Sequence, residues 1–381
     1  MKTLAFLSSQ WRLRTVLTRK CWTVRNSNEH STCKRTRTTS SSVPVSCNSV
    51  KQAAKQRRPV RLICVGDIHG QWDEEDEMAL RSLKPDVALF VGDYGDEDVR
   101  ITRRIADLAD DVSFAVGTVF GNHDAFFTAS NGGCRRAPYD KSTTCRVSDQ
   151  IEMLRCYDVS YRSVSFDNIP FSVCGGRSFS AGGPYWKYKT FFRDFVGVFN
   201  LKHSINKMIQ AVMTAENDGV VFLSHNGPTE LGDKPWDPCG KDWGEVPGGD
   251  FGDADLRVAI EEARNLGKRV PLVVFGHMHK TLFKGSGNRT MVKTEPDRNT
   301  GFETLMLNTA IFPRHTVDPV TRRSLRNFHL VQIGEGGYVD FAEEIWVTSD
   351  GKIRESTSLY SGLAMSGSSS AAAVEVHAET R

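Results

Sequence analysis

The feature that most constrains this chain is where its Asp, His and Asn residues fall relative to its short apolar runs. Asp67 and His69 follow the run Val60 to Gly66, Asp93 follows Val87 to Val91, and Asn122, His123 and Asp124 follow Val112 to Phe120. His225 follows Val220 to Ser224, and His277 and His279 follow Leu272 to Phe275. Apolar runs of this length read as buried strands. Helical patterns lie between them, at Glu74 to Leu83 with Met78, Leu80 and Leu83 in step, at Val99 to Leu108, and near Asp149 to Cys156. Two more lie within Ser204 to Glu216 and at Ala254 to Leu266, with further strands near Ser163 to Val173. The alternation predicts an α/β fold, a sheet packed by helices. In such sheets the loops leaving the carboxyl ends of the strands share one rim, so residues distant in sequence converge there.

The chemistry of that rim follows from residue type. Asp67 and Asp93, the imidazoles of His69, His225, His277 and His279, and the amide of Asn122 are hard-to-intermediate donors with no thiolate among them. Seven side chains exceed the usual share of one ion. Two ions sharing Asp93 would sit about 3.5 to 4 Å apart, a spacing that clamps the attacking and leaving oxygens of an in-line displacement. Mixed imidazole and carboxylate ligation suits Mn, Fe or Zn. His203, His315 and His329 stand outside this pattern and read as surface or core residues.

Composition limits the setting. The 381 residues are 39% hydrophobic and 25% charged, enough for a substantial core. No run approaches the roughly 20 apolar residues of a membrane span. The net charge of +3 conceals an asymmetry: of 49 Lys and Arg, 13 fall in residues 1–60, against one acid of 46, Glu29. The remainder, 36 basic and 45 acidic residues, is acidic and poorly suited to nonspecific nucleic-acid binding. Residues 1–58, rich in Arg, Ser and Thr, have the composition of an organelle transit peptide. Ser40, Ser41 and Ser42 favour the chloroplast, with the mitochondrion as alternative, and a basic disordered tail is the bland reading. None of the nine Cys forms a CxxC pair; Cys134 and Cys145 flank a polar loop, where two free thiols are the simpler reading and a disulfide the other.

The globular domain is expected over 59–347. Phe302 to Asn308, Asn327 to Ile333 and Tyr338 to Val347 read as a terminal β meander. Gly285 to Thr300 is expected to be mobile and the low-complexity tail 348–381 disordered.

The ordered blocks GDIHG, GDYGDE, GNHD, SHNGP and GHMH resemble those of the calcineurin-like metallophosphoesterases, over about residues 60 to 347. Longer matches, CGGRSFSAGGPYW, HNGPTELGD, DPCGKDW and GKRVPLVVFGHMH, are similar to a branch found in cyanobacteria and plants. The resemblance implies an αββα sandwich, two mixed β-sheets packed together with helices outside and the metal site at the carboxyl ends of the strands. It implies that Asp67, His69 and His279 bind one metal, Asn122, His225 and His277 the other, and Asp93 both. A hydroxide between the ions would be the nucleophile of phosphate-ester hydrolysis. His123 would protonate the leaving group or steady the phosphoryl oxygens, and Asp96 would orient His123. The role of Asp124 stays open.

Departures from the family pattern narrow the expectation. Protein phosphatases continue the second block with an arginine that grips phosphate, whereas Glu97 and Asp98 follow Asp96 here. Purple acid phosphatases place a ligand tyrosine at the position of Asp96, and Tyr94 is two residues off register. Substrate contacts are sought instead at Arg177 in the Gly-rich loop, Asn226 in SHNGP and Lys241, although solvated surface is the commoner fate of such residues. The expected activity is hydrolysis of a small-molecule or nucleotide phosphomonoester or phosphodiester. The alternatives are a nuclease, for which the acidic body lacks a basic groove, and a binding module that kept the fold without the chemistry. No specific protein partner is inferred.

Overall fold

The computed structural model describes residues 58–298 and 300–362. The expected transit segment, save Arg58, and the tail beyond 362 lie outside the described residues. In chain order the first strands are β1 (Val60–Val65), β2 (Val87–Phe90), β3 (Ala115–Thr118), β4 (Ser163–Ser165), β5 (Phe171–Gly175), β6 (Gly219–Leu223) and β7 (Arg269–Phe275). There follow β8 (Val292–Pro296), β9 (Glu303–Asn308), β10 (His315–Val317), β11 (Ser324–Ile333), β12 (Val339–Val347) and β13 (Ile353–Ser361). The helices are α1 (Glu74–Leu83), α2 (Val99–Asp111), α3 (Asn131–Cys134), α4 (Arg146–Leu154), α5 (Lys189–Phe191), α6 (Leu201–Met213) and α7 (Ala254–Asn265).

The strands form two mixed sheets. One runs β13-β12-β11-β1-β2-β3 with β10 beside β11, and the other β4-β5-β6-β7-β9-β8. Within the first, β1, β2 and β3 are parallel, and within the second, β5, β6, β7 and β9 are parallel. The parallel strands β2 and β6 are buried along their whole length, which is why they are continuously apolar. Ile63, Val65, Ala88 and Phe90 pack on Leu80 of α1, Ile101 and Ile105 of α2, and Leu154 of α4. In the second sheet Val220, Phe222, Val273 and Phe275 pack on Met208 and Val212 of α6 and Leu256 and Ile260 of α7.

The alternate residues Leu62, Cys64, Val221, Leu223, Leu272 and Val274 are as fully buried and turn to the opposite faces, where the sheets meet. A Cβ on Gly117 of β3 would stand 3.2 Å from Leu89 and 3.8 Å from Leu223 of the other sheet. The layers are therefore helix, sheet, sheet, helix, as the sequence resemblance implied.

α1 begins where the sequence supplies a cap: Asp73 accepts from the backbone of Glu75 and Asp76, and Asp76 reciprocates to the backbone of Asp73. It ends at Lys84, in the left-handed region at φ 49°.

The strands expected near Ser163 to Val173 are the antiparallel pair β4 and β5. Three expectations are corrected. The three late strands are not one meander: β9 joins the second sheet, parallel to β7, while β11, β12 and β13 meander in the first. Part of Gly285 to Thr300 is ordered as β8, which pairs β9. Within the tail 348–381, residues Ile353–Ser361 form β13, a mostly exposed edge strand held by backbone pairing with β12 rather than by burial.

Candidate metal centre

The carboxyl ends of both sets of parallel strands open on one site. The loop after β1 carries Asp67 and His69, that after β2 Asp93, and that after β3 Asn122 and His123; His225 follows β6, and His277 and His279 follow β7. Asp67 and Asp93 are 0% and 1% exposed. Three ligand-capable groups form among these residues, each with its donor atoms within 4.8 Å of one another: Asp67 with His69 and His279, His69 with Asp93 and His123, and Asp93 with His225 and His277. Asp93 joins them. Its Oδ2 lies 3.6 Å from His69 Nε2, and its Oδ1 lies 3.5 Å from His225 Nε2. Asp67 Oδ2 stands 3.2 Å from His279 Nε2, whose own distance to His69 Nε2 is 3.1 Å.

The donor set fits a cation for a reason visible at His225. Its Nδ1 donates to the Val91 carbonyl at 2.9 Å, which turns Nε2 toward Asn122 Oδ1 at 3.0 Å and Asp93 Oδ1 at 3.5 Å. Three acceptors converge there, an arrangement that requires positive charge among them. The titration of the site tells the same story. Burial would raise the Asp67 carboxyl, but the imidazoles of His279, His225 and His69 outweigh it and hold it well below the usual range. Burial raises Asp93 too, and His225 and His123 reverse that. His277 is pushed down to about 3 by burial and then by His225, so it is neutral, the form that ligates metal.

Backbone geometry delivers these side chains at a cost. His69, Asp93 and His277 have φ of 45°, 51° and 70°, in the left-handed region that non-glycine residues avoid. The glycines that precede ligands are fixed by space: a Cβ on Gly121 would lie 2.1 Å from Asp93 Oδ1, and one on Gly276 would lie 2.2 Å from Asp67 Oδ1. Asp124, left open by the sequence, fastens the loops after β2 and β3. Its carboxylate accepts from the backbone of Gly121 at 2.7 Å, Asp93 at 3.0 Å and Tyr94 at 2.8 Å.

Beside the ligands, His123 Nδ1 is 2.5 Å from Asp96 Oδ1, and its ring stacks on Phe126 at 5.2 Å. Burial would lower the His123 pKa, but the charges of Asp93 and Asp96 outweigh it and raise the group.

The expected substrate residues behave differently. Arg177 is buried, 5% exposed, with NH2 2.5 Å from Asp253 Oδ1 and Nε 3.3 Å from Asp255 Oδ2. Asn226 is buried and donates to Phe251 O at 2.8 Å and Asp253 Oδ1 at 3.2 Å. Lys241 Nζ lies over its own loop, 3.3 Å from where a Cβ of Gly244 would stand. His315 is bound to Asp76 at 3.0 Å, and His329 is fully buried in β11. Cys134 and Cys145 are both free thiols. Phe312, which the sequence pattern gave no means of finding, packs its ring 5.5 Å from His279 and 5.2 Å from His69.

Solved structures similar to the chain include TT1561 of Thermus thermophilus, at 10% identity and a TM-score of 0.39 over 70% of this chain and 96% of that one, and a metallophosphoesterase from Sphaerobacter thermophilus, at 11% identity and a TM-score of 0.29 over 76% and 88%. No curated protein matches it in sequence. Residues 60–281, more than half of the chain and the stretch that holds every candidate ligand, match the calcineurin-like phosphoesterase domain, and the chain belongs to that family.

Proposed function

We propose that the protein hydrolyses a phosphate ester of a small molecule or nucleotide with two divalent cations as cofactors. Family membership carries metal-dependent phosphoester hydrolysis in general. The observation that supports a two-ion centre is Asp93, whose two oxygens face different imidazoles, His225 and His69. Asp67, His69 and His279 would hold one ion, Asn122, His225 and His277 the other, and Asp93 both. Oxygen and imidazole donors suit Mn, Fe or Zn. Such a pair, when bound, supplies Lewis-acid charge that polarises the phosphoryl group and activates water near neutral pH.

The remaining work belongs to side chains. His123, with Nδ1 held by Asp96, keeps Nε2 free to give a proton to the leaving oxygen. The raised His123 pKa favours the protonated form needed for that step. The acidic body supports a small substrate over a polynucleotide. The composition of residues 1–58 supports a chloroplast address, which a fluorescent fusion of that segment tests: diffuse cytosolic signal in plant cells overturns it.

The decisive measurement strips metal from the full chain and follows hydrolysis of para-nitrophenyl phosphate and its bis ester after adding Mn, Fe or Zn. The expectation is turnover that tracks metal content and disappears in Asp93→Asn. Two equivalents of metal bound without turnover of any phosphoester leave a binding module in its place.

A further inference from the structure

A groove of about 660 Å³ opens beside the metal centre, lined in part by Lys280, Phe312, Val317, Trp346, Glu355 and Thr357. The loop after β9 forms one wall, Lys280, Thr281 and Asn288 of the segment between β7 and β8 another, and β10, β12 and β13 also contribute. Phe312 belongs to both places: the residue is 37% exposed and lines the groove, and its ring packs against those of His279 and His69. Lys280, next in sequence to His279, lines it too. A group esterified to a phosphoryl at the centre therefore reaches the groove across His69 and Phe312. The volume lies within the roughly 300 to 1000 Å³ of pockets that take small organic ligands.

The charges of the groove say what kind of group fits. Lys280 Nζ is 2.6 Å from Glu344 Oε2, so its charge is already matched. His315 is engaged by Asp76 at 3.0 Å, and Glu355 adds negative charge. A polyanion finds no counter-charge there. What the groove offers is the aromatic side chains of Phe312 and Trp346 and the hydroxyl of Thr357. Aromatic faces with polar edges between them recognise flat, uncharged rings that carry hydrogen-bonding groups.

We propose that this groove seats the organic part of the substrate and that this part is a nucleoside, so that nucleoside phosphoesters are preferred over oligonucleotides and small alkyl phosphates. The inference rests on the phosphoesterase reading above and deepens it.

The test compares kcat/KM for adenosine 5′-monophosphate and glycerol 2-phosphate in the metal-loaded full chain, wild type beside Trp346→Ala, Trp346→Phe and Thr357→Trp. The adenosine ester is expected to be the better substrate. Its advantage should shrink roughly 5- to 150-fold in Trp346→Ala, the range for losing one base-stacking side chain, and return in Trp346→Phe. Thr357→Trp, at an exposed position on β13, should narrow the groove and shrink it as well. Hydrolysis of both esters with a ratio that neither Trp346→Ala nor Thr357→Trp moves overturns the inference and leaves the phosphoesterase reading intact. Calorimetric titration with adenosine reads the groove without catalysis. Binding weakened by Thr357→Trp supports the proposal even if both monoesters are inert, and no binding to wild type at millimolar adenosine overturns it.

Discussion

Asp124 is a buried carboxylate directed at backbone alone, with Gly121, Asp93 and Tyr94 all donating to it. Burial and then the charge of Asp93 raise its pKa well above the usual carboxylate value, and the three N–H donors oppose that rise. Asp124→Asn would turn an amide NH2 toward N–H donors, and unfolding in urea should show a loss of about 2 kcal/mol. Arg177 is a second test of a residue's role. Arg177→Met strands Asp253 and Asp255 in the core, so stability should fall by about 3 to 5 kcal/mol. KM of the folded fraction should hardly move; a large rise in KM at unchanged stability would restore Arg177 as a substrate contact. At His123, replacement by Ala should lower kcat by roughly 10² to 10⁴ while metal content stays at wild-type level. As an acid, His123 works when protonated, so activity falls as pH rises through its pKa. Because Asp96 helps raise that pKa, Asp96→Asn should shift the alkaline limb of the profile toward lower pH. A limb that does not move removes Asp96 from this role.

Among the elements, α1 is tied to the far part of the chain by Asp76, which meets Arg314 NH1 at 2.8 Å and His315 Nε2 at 3.0 Å. Burial would raise the Asp76 carboxyl, but Arg314 and His315 hold it down at about 2, below its ordinary 3.8. A depressed carboxyl stabilises the fold above its unfolded pKa, and the contribution is lost as pH falls from near 4 through about 2. Circular dichroism during acid titration should show Asp76→Asn less stable by about 3 kcal/mol at neutral pH, with the difference from wild type closing over that window. An unchanged gap at pH 2 would mean that Arg314 and His315 do not set the titration. The elements most legible in sequence were those whose burial writes a period. α1 has an apolar helical stripe between an Asp73 cap and Lys84, β2 and β6 are apolar throughout, and β1 is apolar save for Arg61. Illegible were elements held by pairing alone. β13 reads IRESTSLYS, mostly exposed, and only its ladder with β12 reveals it as a strand. The assignment of β9 to the sheet of β7 is likewise a matter of partner choice, which local sequence does not encode.

Across the whole molecule the candidate ligands are divided between the sheets: Asp67, His69, Asp93 and Asn122 leave the first, and His225, His277 and His279 leave the second. The sequence exposed this set because each candidate ligand falls within four residues of the end of an apolar run. It did not expose Phe312, whose place against His279 depends on how the loop after β9 returns. Ions held by these residues would bind only the folded chain, so metal should raise the melting temperature, by the equivalent of about 4 kcal/mol at a thousandfold excess over Kd. Scanning calorimetry with and without chelator checks this, and coincident curves at confirmed metal loading would place the ions elsewhere. The left-handed backbone at His69, Asp93 and His277 has a consequence over evolutionary time. Each such residue costs on the order of 1 kcal/mol that Gly would recover, and metal ligation, with the His123 N–H bond to Asp93 at one of the three, would resist that exchange. In a gene copy released from catalysis, positions 69, 93 and 277 are where drift toward Gly gains stability, so substitution at these three sites marks lineages in which the centre has retired.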